Sequence, residues 1–532
     1  MTLSAIARHD DPAAAASPSD PGGEGADGGP VLWLRAVSIL AVLAGVGLRA
    51  WTRSPMWLDE ALTVNIASVG LDDLRTALER DGAPPLYYLL LTGWRNLAGD
   101  SDTALRLLSA LFSVATLVVV HRIGRRRGGA TVATAAVVLL AVSPYAVRYA
   151  TEARMYSLVA LLVSLGWLAL DHVLERPAAR SLFALGLTAG LLLLTHYWGF
   201  YLLAAVGVAL AVIAWRVASR RRSALLAMGA IAAGCALLFG PWIPTFLSQL
   251  RHTGAPWGEP PDPVAVAFTT LVDFGGGPFP EGQAGAALLV VLGLLALFGS
   301  AVDNTKIELD LRTRPGVRAD LAVAAAALLL GAVIGFLTQS AWASRYASIA
   351  FPIVIVAAAH GLRSFADRRL AAAILAAAAL LGVAGGVRNV VTDRTQAGQA
   401  AAAIEAAGAG AGDVVVYCPD QLGPDVHRAL QGHGLRQFSF PDFGDPRFVD
   451  WVDYEERMGA ADPGTFAAEV LARARGRDVF YVWMPGYRTL GDSCERVNDA
   501  LAASRGANRQ LLEPSSQFFE RHNVWVHPAS PP

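Results

Sequence analysis

The chain has 532 residues, of which 54% are hydrophobic and only 16% are charged. Soluble globular domains carry about 25% charged residues, so this composition excludes an ordinary soluble protein and indicates one that crosses a membrane many times. The formal net charge of −1, with Lys306 as the single lysine, gives no electrostatic basis for binding nucleic acid.

The first predicted element is a tail without regular structure. Residues 1–30 are rich in Ala, Pro, Gly, Ser and Asp and lack apolar periodicity, which predicts a disordered cytoplasmic tail. After it, a membrane-spanning helix needs about 20 mostly apolar residues. About eleven segments meet this requirement: 31–50, 103–121, 130–147, 155–172, 181–196, 198–215, 223–243, 285–302, 319–338, 347–362 and 370–387. We therefore expect a multi-pass α-helical membrane protein.

Connections rich in arginine alternate with connections that carry little charge. The basic segments are HRIGRRRGG (121–129), ERPAAR (175–180), RVASRRR (216–222), DNTKIELDLRTRPGVR (303–318) and RSFADRR (363–369). Because cytoplasmic loops retain Lys and Arg, these five connections are predicted to face the cytoplasm. The other connections, and everything after about residue 388, then lie on the extracytoplasmic side of the cell membrane.

The predicted outer connections carry the polar groups that chemistry would need. The first, 51–102, contains WLDEA, the amphipathic segment LDDLRTALER and PPLYYLLL. The last of these predicts an interfacial helix with Tyr87 and Tyr88 at the lipid headgroups. The other outer connections contain SPYAVRYATEARMY (143–156), THYWGF (195–200), a Pro/Gly-rich stretch (244–284) and TQSAWASRY (338–346). Acids, arginines, tyrosines and a histidine thus converge on one membrane face.

The composition changes again near residue 391. Segments 413–420, 478–485 and 523–528 are predicted to be strands, and 421–431 and 463–476 are predicted to be helices. Residues 391–532 are therefore expected to form a small extracytoplasmic α/β domain, in which no nucleophile, metal or phosphate-loop motif stands out. Cys418 and Cys494 both lie there, and they either form a disulfide or stay as buried thiols.

Several short motifs together resemble one family in their order and spacing. They are WLDEA, PPLYYLLL, ALRLLSALFSV, SPYAVRYATEARMYSL, THYWGFYLL and SRYASIAFP. The set is similar to that of GT-C-fold glycosyltransferases that use polyprenyl-phosphate sugars, such as protein O-mannosyltransferases and the lipid A aminoarabinose transferase. The resemblance covers about residues 31–390 and implies a transmembrane catalytic domain. It further implies sugar transfer, usually with inversion, from a polyprenyl phosphate to a hydroxyl of a protein, lipid or cell-wall glycan.

The acidic pair of WLDEA is the candidate catalytic element. An acceptor hydroxyl needs a carboxylate within hydrogen-bond reach to take its proton, and the resemblance assigns this role to Asp59. Glu60 should point elsewhere on any regular backbone, so it is expected to support orientation or acceptor binding. The alternative is that both acids only stabilise the N-terminus of the following helix.

The leaving lipid phosphate needs fixed positive charge, which arginine supplies through its planar guanidinium. The resemblance implies Glu152, Arg154 and Tyr156 as donor-binding residues, whereas helical periodicity favours Arg148, which lies on the face of Glu152. Both arginines remain candidates, because a helix break near Glu152 would let both reach phosphate. Arg148 and Glu152 can instead form a purely structural ion pair.

Two further pairs are candidates for contact with the donor phosphate or sugar. Arg345 and Tyr346 match a late RY pair of the family, with an arginine that reaches lipid headgroups as the alternative. His196 and Tyr197 lie in a short outer turn, where the histidine can bind sugar, phosphate or a metal, or simply pack. Displacement from a lipid phosphate requires no metal, so no metal or other cofactor is predicted.

Other classes of protein stay open beside the glycosyltransferase. A lipid-linked-sugar transporter or flippase would also have many spans, but with repeated halves and ionisable residues in mid-membrane. An O-antigen-type ligase would use a diphosphate-linked glycan and a large outer loop with arginines. A structural or sensor protein would need no ordered set of acid, arginine and histidine. The gathering of ionisable residues at one face favours the glycosyltransferase.

Overall fold

The computed structural model describes residues 28–254, 258, 262–312, 314–486 and 490–529. Most of the predicted N-terminal tail, residues 1–27, lies outside this described part. Gly28 already begins the first helix, so the tail predicted to reach residue 30 ends earlier.

Most of the described chain up to residue 391 is helical. Within the described residues, seven helices are long and apolar enough to cross a membrane, and four shorter apolar helices accompany them. The helices are α1 (Gly28–Leu48), α2 (Leu58–Ser68), α3 (Leu71–Asp81), α4 (Leu86–Ala98), α5 (Asp102–Val142), α6 (Pro144–Ala150), α7 (Tyr156–Glu175), α8 (Ala179–Leu193), α9 (Gly199–Arg216), α10 (Arg221–Gly234), α11 (Ile243–His252), α12 (Pro263–Gly275), α13 (Pro280–Phe298), α14 (Pro315–Leu337), α15 (Phe351–Gly361) and α16 (Arg368–Val391). The chain is a multi-pass helical membrane protein, and the count of eleven spans stays a prediction.

Helix α5 contains two of the predicted spans. Gly129 interrupts its helical backbone with φ 76° and ψ −163°, a conformation that glycine adopts without a steric penalty. A Cβ atom on Gly124 would lie 2.7 Å from the Cα atom of Ala133. The segments before and after Gly129 therefore fold back on each other as a closely packed helix pair.

The arginines of the predicted inner connections meet at one end of the bundle. Arg127 pairs with Asp171 at 2.7 Å and also with Asp320, and Arg126 pairs with Glu175 at 2.6 Å. These residues belong to the middle of α5, the end of α7 and the start of α14. The polar groups of the predicted outer connections adjoin the other ends of the same helices.

Two local features interrupt the helices near the predicted seventh and eighth spans. Helix α10 continues through a π-helical turn (Cys235–Phe239) and a 3₁₀ turn (Gly240–Trp242) into α11. After α13, strand β1 (Gly299–Ala301) pairs antiparallel with β2 (Ile307–Leu309). The eighth predicted span therefore ends earlier than residue 302.

The C-terminal part contains a five-stranded mixed sheet. In order across the sheet, the strands are β4 (Arg436–Ser439), β3 (Val414–Cys418), β5 (Val479–Trp483), β7 (Asn523–His527) and β6 (Arg509–Leu512). Strand β3 runs parallel to β4 and β5, whereas β7 runs antiparallel to β5 and β6. The three predicted strands are confirmed. Strands β4 and β6 were not predicted, because they are short and partly exposed and so lack an apolar run.

Helices cover both faces of this sheet. The helices are α17 (Ala397–Ala406), α18 (Gly423–Ala429), α19 (Tyr454–Ala460), α20 (Pro463–Ala474) and α21 (Ser493–Arg505). Helices α17 and α18 pack on one face, and α20 and α21 pack on the other. Every residue of β3 and β5 is consequently buried. Cys418 and Cys494 form a disulfide between the end of β3 and α21.

The C-terminal part packs on the first outer connection. Asn65 of α2 donates to the carbonyl of Arg447 at 2.8 Å, and Arg428 of α18 pairs with Asp102 at 2.7 Å. Helix α2, which carries the WLDEA motif, thus lies between the helical bundle and the sheet.

Candidate active site

Helix α2 begins at Leu58 and presents both acids of WLDEA in its first turn. Successive residues of a helix point about 100° apart, so the two carboxylates meet different surroundings. The side chain of Asp59 is 17% exposed, whereas that of Glu60 is fully buried. Of these two acids, only Asp59 is therefore accessible to a ligand.

Asp59 is flanked by two arginines from distant parts of the chain. Its Oδ2 lies 3.5 Å from Nη2 of Arg154 and 3.4 Å from Nη2 of Arg345. Arg154 also donates to the carbonyl of Asp59 at 3.3 Å and to the hydroxyl of Thr63 at 2.6 Å. One carboxylate between two guanidinium groups leaves one net positive charge at a partly buried position, which suits an anionic ligand.

Aromatic side chains form one side of this position. The ring centroid of His196 lies 5.8 Å from that of Tyr156 and 5.3 Å from that of Tyr346. Tyr346 also stacks on Trp198 at 5.4 Å. Burial raises the pKa of Tyr346 to about 12, so its hydroxyl is a neutral hydrogen-bonding group.

His196 is neutral at this position. Burial lowers its pKa to about 3, and the nearby charges of Arg154 and Arg345 act in the same direction. Its Nδ1 accepts a hydrogen bond from the backbone N–H of Trp198 at 3.1 Å, which assigns the proton to Nε2. The imidazole can therefore donate one hydrogen bond without adding charge.

Asp81 and Tyr88 form a second polar pair beside this cluster. The hydroxyl of Tyr88 donates to Asp81 at 2.7 Å. Burial raises the pKa of Asp81, while the charge of Arg154 opposes this shift. Asp81 was not among the predicted site residues, although its position at the end of α3, just before PPLYY, is a signal in the sequence.

The prediction that Tyr87 and Tyr88 lie at the lipid headgroups is wrong. Both side chains are completely buried, and Tyr87 shares a hydrogen bond with Ser109 at 2.8 Å. A buried tyrosine is stable where its hydroxyl finds a partner. Helix α4 therefore turns this face toward the protein, and not toward the membrane surface.

Glu60 belongs to a buried network of charges. It pairs with Arg106 through two hydrogen bonds of 2.7 Å and accepts the backbone N–H of Ala153 at 2.8 Å. Arg394 lies 4.0 Å from Glu60 and 3.1 Å from Glu152. This network ties the start of α2 to the segment that carries Arg154. Arg106 and Arg394 were not predicted, because only the fold brings them to Glu60 and Glu152.

The segment between Arg148 and Tyr156 is not one continuous helix. Helix α6 ends at Ala150 and α7 begins at Tyr156, so the helical arc predicted for this stretch is interrupted. Arg148 is 37% exposed and lies 3.4 Å from Glu152. This contact is the structural Arg148–Glu152 ion pair that the sequence offered as an alternative to phosphate binding. The bend turns Arg154 toward Asp59. Arg148 is therefore not part of the ion-paired cluster formed by Asp59, Arg154 and Arg345.

Tyr197, another predicted site residue, points away from Asp59 and its two arginines. Its hydroxyl accepts from Trp242 at 3.0 Å and is hydrogen-bonded to Gln249. Its ring packs on Phe246 with centroids 4.8 Å apart. It belongs to the packing between α9 and α11.

We expect Arg106→Met to destabilise the protein strongly, because it leaves Glu60 buried without its main partner. The expected loss is about 3–5 kcal/mol in the free energy of unfolding. Unfolding of the purified protein in detergent would measure it. As a control, Arg496→Met removes a surface pair with Asp492, which is expected to cost less than about 1 kcal/mol. Equal losses in the two variants would contradict the structural role of the Glu60 network.

Comparisons with known proteins identify the fold of the chain. Residues 82–243 match the family model of dolichyl-phosphate-mannose-protein mannosyltransferases. The structure aligns with ArnT from Cupriavidus metallidurans bound to undecaprenyl phosphate with a TM-score of 0.57 and 15% identity. The alignment covers 95% of this chain and 99% of ArnT. The chain has the GT-C fold.

The predicted resemblance to GT-C glycosyltransferases is thus confirmed at the level of the fold. The apo form of the same ArnT aligns with a TM-score of 0.57 and 13% identity, over 94% of this chain and 98% of ArnT. A search of curated protein sequences finds no significant match. The matched segment 82–243 includes Arg154 and His196, whereas Asp59 and Arg345 lie outside it.

Proposed function

We propose that the protein is an integral membrane glycosyltransferase that moves a sugar from a polyprenyl phosphate to an acceptor hydroxyl. The observation that carries this proposal is the position of Asp59 between Arg154 and Arg345, each of which contacts it within 3.5 Å. The GT-C fold and the match to a mannosyltransferase family model support the same reaction class. ArnT in the aligned structure binds undecaprenyl phosphate, a ligand of the proposed donor class.

The charge of the site suits this donor. A sugar linked to a polyprenyl phosphate is a phosphodiester with one negative charge, and the cluster of two arginines and one aspartate has one net positive charge. Planar guanidinium groups bind phosphate oxygens in pairs. We assign Arg154 and Arg345 to the donor phosphate, with Tyr156, His196 and Tyr346 as neutral groups beside the phosphate or sugar.

The proposed reaction is one displacement at the anomeric carbon. Asp59 takes the proton of the acceptor hydroxyl as that oxygen forms its bond to the carbon. The bond from carbon to the phosphate oxygen breaks, and its electron pair stays on the phosphate. Arg154 and Arg345 stabilise the added negative charge on the leaving polyprenyl phosphate. A single displacement inverts the anomeric configuration.

The arginines that hold Asp59 are the same groups that the phosphate would contact. Asp59 Oδ2 has no hydrogen bond within the described residues, and its ion pairs are long. A bound phosphate would therefore compete for Arg154 and Arg345 and weaken their pairing with Asp59. A less tightly paired carboxylate is a better proton acceptor, so donor binding would activate the base.

Glu60 is assigned a positioning role within this proposal. Its carboxylate is buried and paired with Arg106, which favours orientation of α2 over acceptor binding. Glu152 is likewise buried against Arg394. The acceptor, whether protein, lipid or cell-wall glycan, would reach Asp59 from the side of the C-terminal sheet.

The site is proposed to face the extracytoplasmic side of the cell membrane. The arginines of the inner connections gather at the other end of the bundle, around Arg127, as the positive-inside rule requires of a cytoplasmic face. The C-terminal sheet domain, residues 391–532, then lies outside the membrane.

The proposal is tested with the full-length protein in lipid nanodiscs. It is incubated with radiolabelled polyprenyl phosphates that carry mannose, glucose, arabinofuranose or aminoarabinose. Release of sugar from one donor, to water or to an added hydroxyl acceptor, is the expected result and identifies the sugar. Movement of an intact donor across the bilayer of proteoliposomes, without cleavage, would overturn the proposal in favour of a transporter. Cleavage only of diphosphate-linked glycans would favour an O-antigen-type ligase.

We expect His196 to act without changing its protonation state. Its lowered pKa of about 3 keeps it neutral throughout the physiological range. The ratio of transfer rates for wild type and His196→Asn should therefore stay constant between about pH 5.5 and 8. Rates measured with one donor across this range provide the test. A ratio that changes around pH 6.5, the ordinary pKa of histidine, would show that the imidazole titrates during the reaction.

A further inference from the structure

A second buried cluster lies where the C-terminal sheet meets α2. Asp425 belongs to α18, and Glu520 and His522 precede β7. One possible ligand atom from each lies within 4.8 Å of the others. Their exposed fractions are 2%, 8% and 0%. Glu520 pairs as an extended residue with Thr395, so Glu520 and His522, two residues apart, point to the same side.

The cluster places two carboxylates in the interior with no arginine or lysine paired to either of them in the described part of the chain. Within the described residues, Asp425 has an ion pair only with His522, and Glu520 has none. Asp425 accepts the hydroxyl of Thr395 at 2.7 Å, and Glu520 accepts the backbone N–H of Leu58 at 3.2 Å. The carboxyl groups of Asp425 and Glu520 are also hydrogen-bonded to each other, so one of them holds a proton when no cation is bound. A divalent cation would replace that proton and offset the negative charge of both carboxylates.

His522 points to the same conclusion independently. Its side chain is completely buried, yet within the described part of the chain Nδ1 has no hydrogen bond and Nε2 has only a long ion-pair contact with Asp425. Buried imidazoles normally have partners for their nitrogens. Nε2 of His522 lies 3.4 Å from Oδ2 of Asp425. Metal–ligand bonds of about 2.1 Å at tetrahedral angles place two ligand atoms about 3.4 Å apart, which matches this separation.

We propose that Asp425, Glu520 and His522 bind one divalent transition-metal ion, such as Zn²⁺ or Mn²⁺. A mixed set of imidazole and carboxylate ligands suits such ions. The site is separate from the ion-paired cluster of Asp59, and the metal takes no part in the proposed transfer. The proposal concerns metal binding alone, so it stands whether or not the protein transfers sugars.

The metal would fasten the C-terminal sheet to the start of α2. Glu520 accepts from the backbone of Leu58, the residue before Asp59. The ring of Phe519 contacts Trp57 edge-on, with centroids 5.6 Å apart. Fixing Glu520 therefore fixes the backbone that presents Asp59. No metal motif is visible in the sequence here, because Asp425 is separated from Glu520 and His522 by most of the C-terminal part.

Metal content of the full-length protein tests this proposal. Protein stripped with a chelator and dialysed against Zn²⁺ or Mn²⁺ is expected to bind one ion per chain, measured by elemental analysis. Glu520→Gln keeps an acceptor for Leu58 but loses the ligand charge, and Asp425→Asn does the same for Thr395. Each is expected to weaken metal binding at least about 10- to 100-fold. The control His433→Gln alters a surface pair with Glu405 and should bind metal as wild type does.

Two further readouts distinguish a built site from general destabilisation. Pulsed electron paramagnetic resonance of bound Mn²⁺ should show a coupled nitrogen in wild type that is lost in His522→Gln. Added Zn²⁺ should raise the unfolding temperature of wild type and His433→Gln, but not of Glu520→Gln. Wild type that binds neither ion would overturn the proposal and indicate that Asp425 and Glu520 share a proton. Equal metal content in wild type and Glu520→Gln would also overturn it.

Discussion

Asp59→Asn is expected to lower the rate of sugar transfer by about 10²- to 10⁴-fold, the contribution of a positioned general base. Asparagine retains the shape of the side chain but cannot take a proton from the acceptor hydroxyl. Because the neutral amide no longer pairs with Arg154 and Arg345, the affinity for the anionic donor should not fall. Donor binding and transfer rate, measured separately in nanodiscs, would show this combination.

The matched control for Asp59 is Asp72→Asn. Asp72 lies in the first turn of α3, on the same outer connection, and is exposed. We expect its replacement to change transfer only slightly. Equal turnover by Asp59→Asn and wild type would place the base on another residue, and the buried Asp81 beside Tyr88 would then be the next candidate.

The second large effect is expected from the arginines that flank Asp59. Arg154→Gln or Arg345→Gln removes a group that stabilises charge on the leaving phosphate, and losing one such donor costs about 10²- to 10³-fold in turnover. Lysine at either position should restore only part of the activity, because it offers a point charge instead of a planar pair of donors. The turnover number should fall, and the Michaelis constant for the donor should rise.

Arg53 provides the control for these two arginines. It lies just before α2, but its side chain is 68% exposed, and its ion pair with Asp393 is long, at 3.9 Å, and therefore weak. Arg53→Gln should therefore leave transfer near the wild-type rate. If Arg148→Gln were as damaging as Arg154→Gln, the phosphate would instead lie across the bend between α6 and α7, and both arginines would contact it.

The Glu60 network explains why the proposed site can be precise although its parts are far apart in sequence. Arg106 fixes Glu60 next to the backbone of Ala153. Arg394, at the start of the C-terminal part, contacts both Glu60 and Glu152. The two neighbours in WLDEA thus have different tasks. Asp59 faces the proposed site, and Glu60 holds the helix on which Asp59 is presented.

Sequence alone was sufficient for the features that depend on local pattern. Long apolar runs define membrane helices because unpaired backbone groups are too costly in lipid, and seven such helices lie within the described residues. Apolar runs between turns likewise predicted β3, β5 and β7. The ordered motifs indicated the GT-C fold, and they drew attention to Asp59, Arg154, His196 and Arg345 before any distance was known.

Only the tertiary structure decided which of these groups meet. The sequence could not choose between Arg148 and Arg154, because the choice depends on the bend between α6 and α7. It placed Tyr87 and Tyr88 at the membrane surface, whereas partners from α3 and α5 hold their hydroxyls in the interior. Arg106, Arg394 and the cluster around His522 were likewise invisible, since long-range pairs of charged groups leave no local pattern. Residue spacing determines which face a side chain occupies, but only packing determines what it faces.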